Sequence, residues 1–342
     1  MITAYAKAPG TVIAAQLAVG DAIPSATVWV DLLNPTEEER LFVLSSLGID
    51  LPDAADMEEI EASSRLYVEG GAIFLTSAVI VGGETNEGEL DDLTFAITPK
   101  HLITTRYCMP KSIDLFAFRL RKNPEFLNSS YDAFLELMDA IIDRTADLLQ
   151  LISARVDSIS AEVFTITPEL QVKRARKRKA KSKDANSPAN TETHLTQMLR
   201  GIGRSGNLTH KLRDSVNGLN RLLAFTGVQL MGRFNHEQAG RLKTLNRDLQ
   251  SLLEVANAMT NEISFLLDAT LGFINIEQNT IIKIFSIAAV IFLPPTMVGT
   301  IYGMNFQHMP ELSYVWGYPM SLVMMFVSAI LPVWYFRRRG WF

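Results

Sequence analysis

Cysteine is nearly absent from this 342-residue chain. Cys108 stands alone, which excludes an intramolecular disulfide and any zinc knot built from clustered thiols. Such a thiol is expected to be a buried bystander in a reducing compartment. Histidine is also sparse, and His101, His194, His210, His236 and His308 are scattered. No compact His/carboxylate motif, glycine-rich phosphate loop or nucleophile–base constellation is present, so nothing points to an enzyme. No internal repeat is visible. The opening "MITAYAKAPGTVIAAQLAVGDAIP" lacks a continuous apolar core and reads as mature protein rather than a signal peptide. Basic residues are scarce early on, since residues 1–100 hold 17 acids against 4 Lys/Arg. Charge vanishes altogether from Ile284 to Pro310, and again from Gly317 to Phe336.

Those two uncharged runs dominate what is there. "IFSIAAVIFLPPTMVGTIYGM", Ile284 to Met304, has 21 residues and would span about 31 Å as a helix. "GYPMSLVMMFVSAILPVWYF" supplies 20 more. Two membrane spans are expected. Lys283 precedes the first, Arg337, Arg338 and Arg339 follow the second, and no Lys or Arg lies between. Positive-inside bias then puts both termini in the cytoplasm, across the inner (plasma) membrane, with "FQHMPELSYVW" outside. Trp316, Trp334, Tyr335 and Trp341 occupy interfacial positions.

The preceding residues read as α+β, in three regions. Residues 1–125 form an acidic α/β domain. In it "ATVWVDL" is a strand ended by Asn34-Pro35, and Thr36 with Glu39 caps a helix stopped by Gly48. "SRLYVEGGAIFLTSAVIV" and "LTFAITPKHLITTRY" are hairpins turning at Gly70-Gly71 and Pro99-Lys100. "GGETNEGELDD" between them is expected to be a loop, with the acids Glu84, Glu87, Glu89, Asp91 and Asp92. Residues 126–280 form a helical stalk. Its helices cover about Tyr131 to Phe164, Thr191 to Arg233, and from His236 onwards. The basic linker 173–190 interrupts them. The third stretch meets no Pro before Pro294, so it is expected to run unbroken into the first span. Residues 281–342 are the spanning hairpin.

Along the first span Asn279, Ile282, Phe285, Ala289, Leu293 and Thr296 recur every three or four residues and share one helix face. That stripe is polar at its ends and apolar in the middle, although any bundle helix needs a buried face. Pro294-Pro295 remove backbone donors, which suits a helix beside a cavity. At the outer end Gly303 is free to turn left-handed and stop the helix, leaving Asn305 to present an amide. "YGMNF", then "MPEL", "GYP" and "FRRRGWF", together with "FINIEQNTIIKIFSIAAVIFLPPT", closely resemble the CorA family of magnesium channels over about residues 260–342.

The resemblance implies an N-terminal αβα cytoplasmic domain, a long stalk continuing into the first span, and a funnel-shaped homopentamer around one pore. It implies passage of hydrated Mg²⁺, and also Co²⁺ and Ni²⁺, with Mg²⁺ both cargo and regulator and no organic cofactor. Tyr302, Gly303, Met304 and Asn305 would form the selectivity mouth, and Asn279, Ile282, Phe285, Ala289, Leu293 and Thr296 the pore lining. Glu311 would be the one outer carboxylate, because Gln307 and His308 stand where the family often has an acid. Asp268 matches an acidic ring near the inner end. Regulatory Mg²⁺ held between protomers would draw on Glu87, Glu89, Asp91 and Asp92 of one partner and Asp248 of another. Thr244 falls where the family's main stalk acid is expected. A zinc transporter of the same superfamily is the nearest alternative, against which Met304 argues. A membrane-tethered scaffold is a further one. Lys173 to Lys183 carry 8 basic residues; without interleaved aromatics they suit a solvated loop or anionic headgroups rather than nucleic acid.

Overall fold

A computed structural model describes residues 1–59, 61–84, 88–165, 188–304, 310 and 314–339. Strand β3 (Thr27–Leu33) shows why a two-faced layer forms. Trp29 points into one core and Val30 and Leu32 into another, as the two-residue repeat of a strand requires. Strands β1 (Ile2–Ala8), β2 (Thr11–Leu17), β4 (Leu66–Glu69), β5 (Ala72–Gly82), β6 (Gly88–Ile97) and β7 (Leu102–Arg106) complete a seven-stranded sheet, ordered β2-β1-β3-β7-β6-β5-β4. Only the β3–β7 pair is parallel; the other pairings are antiparallel.

Local chemistry sets the turns. Gly70 and Gly71 both adopt positive φ, 57° and 83°, as a two-residue turn between right-twisted strands demands. Helix α1 (Glu37–Leu47) carries the expected capping box. Thr36 Oγ1 accepts from the Glu39 N–H at 3.2 Å, and Glu39 Oε2 accepts from the Thr36 N–H at 3.0 Å. Gly48 closes the helix at φ 71°. A cap of this kind contributes about 1 kcal/mol. Short helices α2 (Ala54–Met57) and α3 (Ala62–Arg65) lead into β4.

Helices α4 (Lys111–Lys122), α5 (Ser130–Thr165) and α6 (Pro188–Gln229) lie on the Trp29 side. There Leu75, Phe95, Phe116, Phe134 and Leu219 share one core. α1 covers the other side through Phe42 and Val43 against Val30, Phe74 and Ile103. The layers are therefore helix, sheet, helix. Gly218 lets α6 approach β5 closely, since a Cβ there would meet Ser77 Oγ at 2.7 Å. Beyond the sheet, α5 and α6 pack with helix α7 (His236–Tyr302) around Ile152, Val156, Ile202, Leu212, Met259 and Ile263. Asn235 and Gln238 cap α7 reciprocally, and Gln238 Nε2 donates to Asp132 Oδ1 at 2.7 Å.

α7 runs unbroken for 67 residues, about 100 Å at 1.5 Å per residue. Helix α8 is Gly317–Arg338. The chain divides into two compact units, residues 1–267 and 268–342, and α7 contributes to both.

Two segments form strands that short-range patterns do not mark. "GGETNEGELDD" is not one loop, because β6 begins at Gly88 and places Glu89, Asp91 and Asp92 on a strand. β5 continues to Gly82, and pairing from Val81↔Glu89 to Ala78↔Asp92 offsets the poor strand preference of these acids. The N-terminal stretch, to which no element was assigned, is the β1–β2 hairpin, turned at Gly10 with φ 74°.

Candidate functional site

The segment of α7 in the second unit has two unlike faces. Ile287 is buried, and Ala288, Ile291, Pro294, Pro295, Val298, Gly299 and Tyr302 are half-buried. α8 reaches this face at Gly299, where the Met325 methyl lies 3.3 Å from the position of a Cβ. At about 100° per residue the stripe Asn279, Ile282, Phe285, Ala289, Leu293 and Thr296 falls on the opposite side. All six are exposed, with Ile282 at 62 %, Phe285 at 72 % and Leu293 at 66 %. The spacing that placed these residues together is thus matched by one continuous uncovered face.

Its polar members are modest hydrogen-bonding groups. Thr296 Oγ1 donates to the Phe292 carbonyl, and Thr300 Oγ1, one turn beyond the stripe on the same side, to the Thr296 carbonyl, each at 2.7 Å. These bonds satisfy hydroxyl protons while leaving lone pairs for an acceptor role. Pro294 and Pro295 bring no N–H to the carbonyls at 290 and 291, yet the helix continues through them.

The helix ends at Tyr302 without the left-handed glycine expected. Gly303 keeps a right-handed turn, donating its N–H to the Gly299 carbonyl at 3.0 Å, while Met304 donates to Ile301 at 3.3 Å. Asn305 and Glu311 lie outside the described residues, as do Glu87 and Lys173 to Lys183.

The acids of the first unit are differently employed. Glu84 pairs with Arg144 at 2.9 Å and with Lys111, whose hydrogen bond holds its carboxyl below the usual range. Asp92 pairs with Arg65; burial pushes its carboxyl up, against the pull of that guanidinium. Asp91 Oδ1 accepts the Asp92 N–H at 2.9 Å. Glu89 is exposed, as are Asp248 and Asp268 on α7. Thr244, in place of the expected stalk acid, turns its hydroxyl to the Gly240 carbonyl at 3.2 Å. Among the described residues no three His, Cys, Asp or Glu side chains converge to hold a metal. Arg65, Lys111 and Arg144 were not anticipated as partners. They lie 27, 27 and 60 residues from the acids they neutralise, and no local pattern marks such a pairing.

α7 and α8 are each long and apolar enough to cross a membrane, and only 6 % of either apolar window is buried. A core helix of a water-soluble domain would be covered, so these are the spans of a membrane protein. Residues 24–338 match the family described as CorA-like Mg²⁺ transporter protein. The chain belongs to the CorA family. It is 32 % identical over 314 residues to the magnesium transport protein CorA of Haemophilus influenzae, covering 92 % of each chain. Against that of Pasteurella multocida it is 30 % identical over 317 residues, covering 93 % of this chain and 92 % of the relative. The CorA magnesium transporter structure from Methanocaldococcus jannaschii superposes with a TM-score of 0.73 at 17 % identity, over 100 % of this chain and 99 % of that one. At that identity the superposition speaks for the CorA fold alone.

Proposed function

We propose that this chain carries hydrated Mg²⁺ into the cytoplasm as a homopentamer in the inner membrane, with both termini on the cytoplasmic side. The observation carrying this reading is the exposed stripe on α7, opposite the face that α8 reaches. Five such stripes around an axis would make a tube with polar ends and an apolar middle. Five copies of Asn305 would ring its outer mouth beside Tyr302, Gly303 and Met304. Mg²⁺ gives up its water reluctantly. Amide oxygens accept hydrogen bonds from that shell without stripping it, whereas a carboxylate ring would hold the ion and slow its exit. Ile282, Phe285 and Leu293 form the narrow apolar stretch that dewets when closed. Co²⁺ and Ni²⁺, also octahedral when hydrated, would share this route. No covalent chemistry is required.

Regulation by internal Mg²⁺ fits the donor set unevenly. Glu89, Asp248 and Asp268 are exposed oxygen donors suited to a hard cation. Glu84 and Asp92 are already paired to cations and would have to exchange those partners. Anionic headgroups near Lys173 to Lys183 would bias gating from the inner leaflet.

Uptake into reconstituted vesicles tests the function. Wild type is expected to admit Mg²⁺, and Asn305→Ala to abolish uptake while the assembled oligomer persists. Wild-type Mg²⁺ uptake by the variant would sink the mouth assignment. Uptake of Zn²⁺ without Mg²⁺ by wild type would favour the zinc alternative, and no metal flux at all a scaffold.

A further inference from the structure

The C-terminal end of α8 holds two guanidinium–aromatic stacks side by side. The central carbon of the Arg338 guanidinium lies 4.5 Å from the Trp334 ring centroid, and that of Arg339 lies 5.6 Å from Tyr335. Both pairs are spaced i, i+4, so two consecutive aromatics followed by two consecutive arginines set the stacks about 100° apart around the helix. The rings are half-open, at 54 % and 51 % exposure. Among the described residues no carboxylate pairs with Arg337, Arg338 or Arg339.

A guanidinium held over a ring by cation–π attraction spends none of its five N–H donors on that contact, so they are left for an acceptor. A helix C-terminus favours cations generally. That effect accounts for the charge but not for aromatic partners at matched spacing. The end of a spanning helix lies at headgroup depth, where Trp and Tyr bodies sit against acyl chains. The anion within reach at that depth is a lipid phosphate.

We propose that Trp334 with Arg338 and Tyr335 with Arg339 form a binding site for the phosphate of an anionic phospholipid in the inner leaflet. Each guanidinium edge donates to phosphate oxygens, and the aromatic bodies pack on the proximal acyl chains. Arg337 adds charge without a stack. The site depends on α8 being a span and is independent of which ion the protein carries.

Full-length protein in mixed micelles, titrated with phosphatidylglycerol or phosphatidylcholine and followed by native mass spectrometry, tests this. Wild type is expected to retain phosphatidylglycerol preferentially. Arg338→Lys with Arg339→Lys keeps the charge but loses the planar fork, and should weaken that retention on the order of tenfold. Trp334→Leu, which leaves all three arginines, should weaken it in the same direction. Equal retention by wild type and the double Lys variant would reduce the site to diffuse attraction and overturn the proposal, as would no lipid preference in wild type. Displacement of the lipid by millimolar glycerol phosphate would make a soluble phosphate the ligand and overturn the lipid assignment. If the double variant fails to assemble, Trp334→Leu alone decides between the site and diffuse charge.

Discussion

Glu136 on α5 shows how one buried charge is managed. Its side chain is 6 % exposed and pairs with Arg241 of α7. Burial pushes its carboxyl up, and Arg241 only partly opposes that. The folded state therefore holds this proton to higher pH than the unfolded chain does. The stabilisation is complete below the ordinary glutamate value, about 4.3, and is lost as pH rises through the raised folded value. Glu136→Gln should flatten the fall of the unfolding temperature across that window. Asp92 and Asp139, shifted the same way chiefly by burial, preserve part of the slope. Parallel pH profiles for wild type and variant would show that Glu136 is not a source. The Asp31–Arg106 pair is buried more completely. Arg106 donates three times to Asp31, from Nε at 3.1 and 3.2 Å and from Nη2 at 2.8 Å, and Thr104 Oγ1 adds a fourth bond at 2.7 Å. Cys108 beside it is inert, its thiol pushed up by burial to about 12, as a bystander should be.

At the scale of elements, α7 carries the prediction that bears most on transport. Leu293 is apolar, exposed and central in the stripe. Leu293→Asn should hydrate the closed tube and raise leak at high internal Mg²⁺, because a polar ring no longer favours dewetting. Closed-state conductance equal to wild type would show that the barrier lies elsewhere. Helices and hairpins with local signals were legible from sequence. Thr36 with Glu39, Gly48, Gly70-Gly71 and the turn between Thr98 and His101 all stand where short-range rules put them. Glu89, Asp91 and Asp92 were not legible as strand. Their side chains argue for a loop, and only pairing with β5 overrides that preference.

At the scale of the whole molecule, gating by Mg²⁺ is expected to act between copies of the chain. The described residues of a single chain gather no complete metal site, while Glu89 and Asp248 stay exposed. Glu89→Gln with Asp248→Asn should leave uptake intact at low internal Mg²⁺ and raise the internal concentration needed to stop it. An unchanged inhibition curve would remove both residues from regulation. Thr244 cannot replace a carboxylate there, since its hydroxyl, bonded to the Gly240 carbonyl, carries no negative charge to offer a cation.

By itself the sequence determined the two spans, the unbroken α7 and the shared face of Asn279, Ile282, Phe285, Ala289, Leu293 and Thr296. Each follows from short-range periodicity or from a run without charge, and neither needs a distant partner. Tertiary structure alone decided which acids are spent. Glu84 meets Lys111 and Arg144, and Asp92 meets Arg65, across separations of 27 to 60 residues. It also decided that the α7 stripe is uncovered and lies opposite the face reached by α8. Periodicity says which residues share a face; what that face meets depends on how distant segments pack.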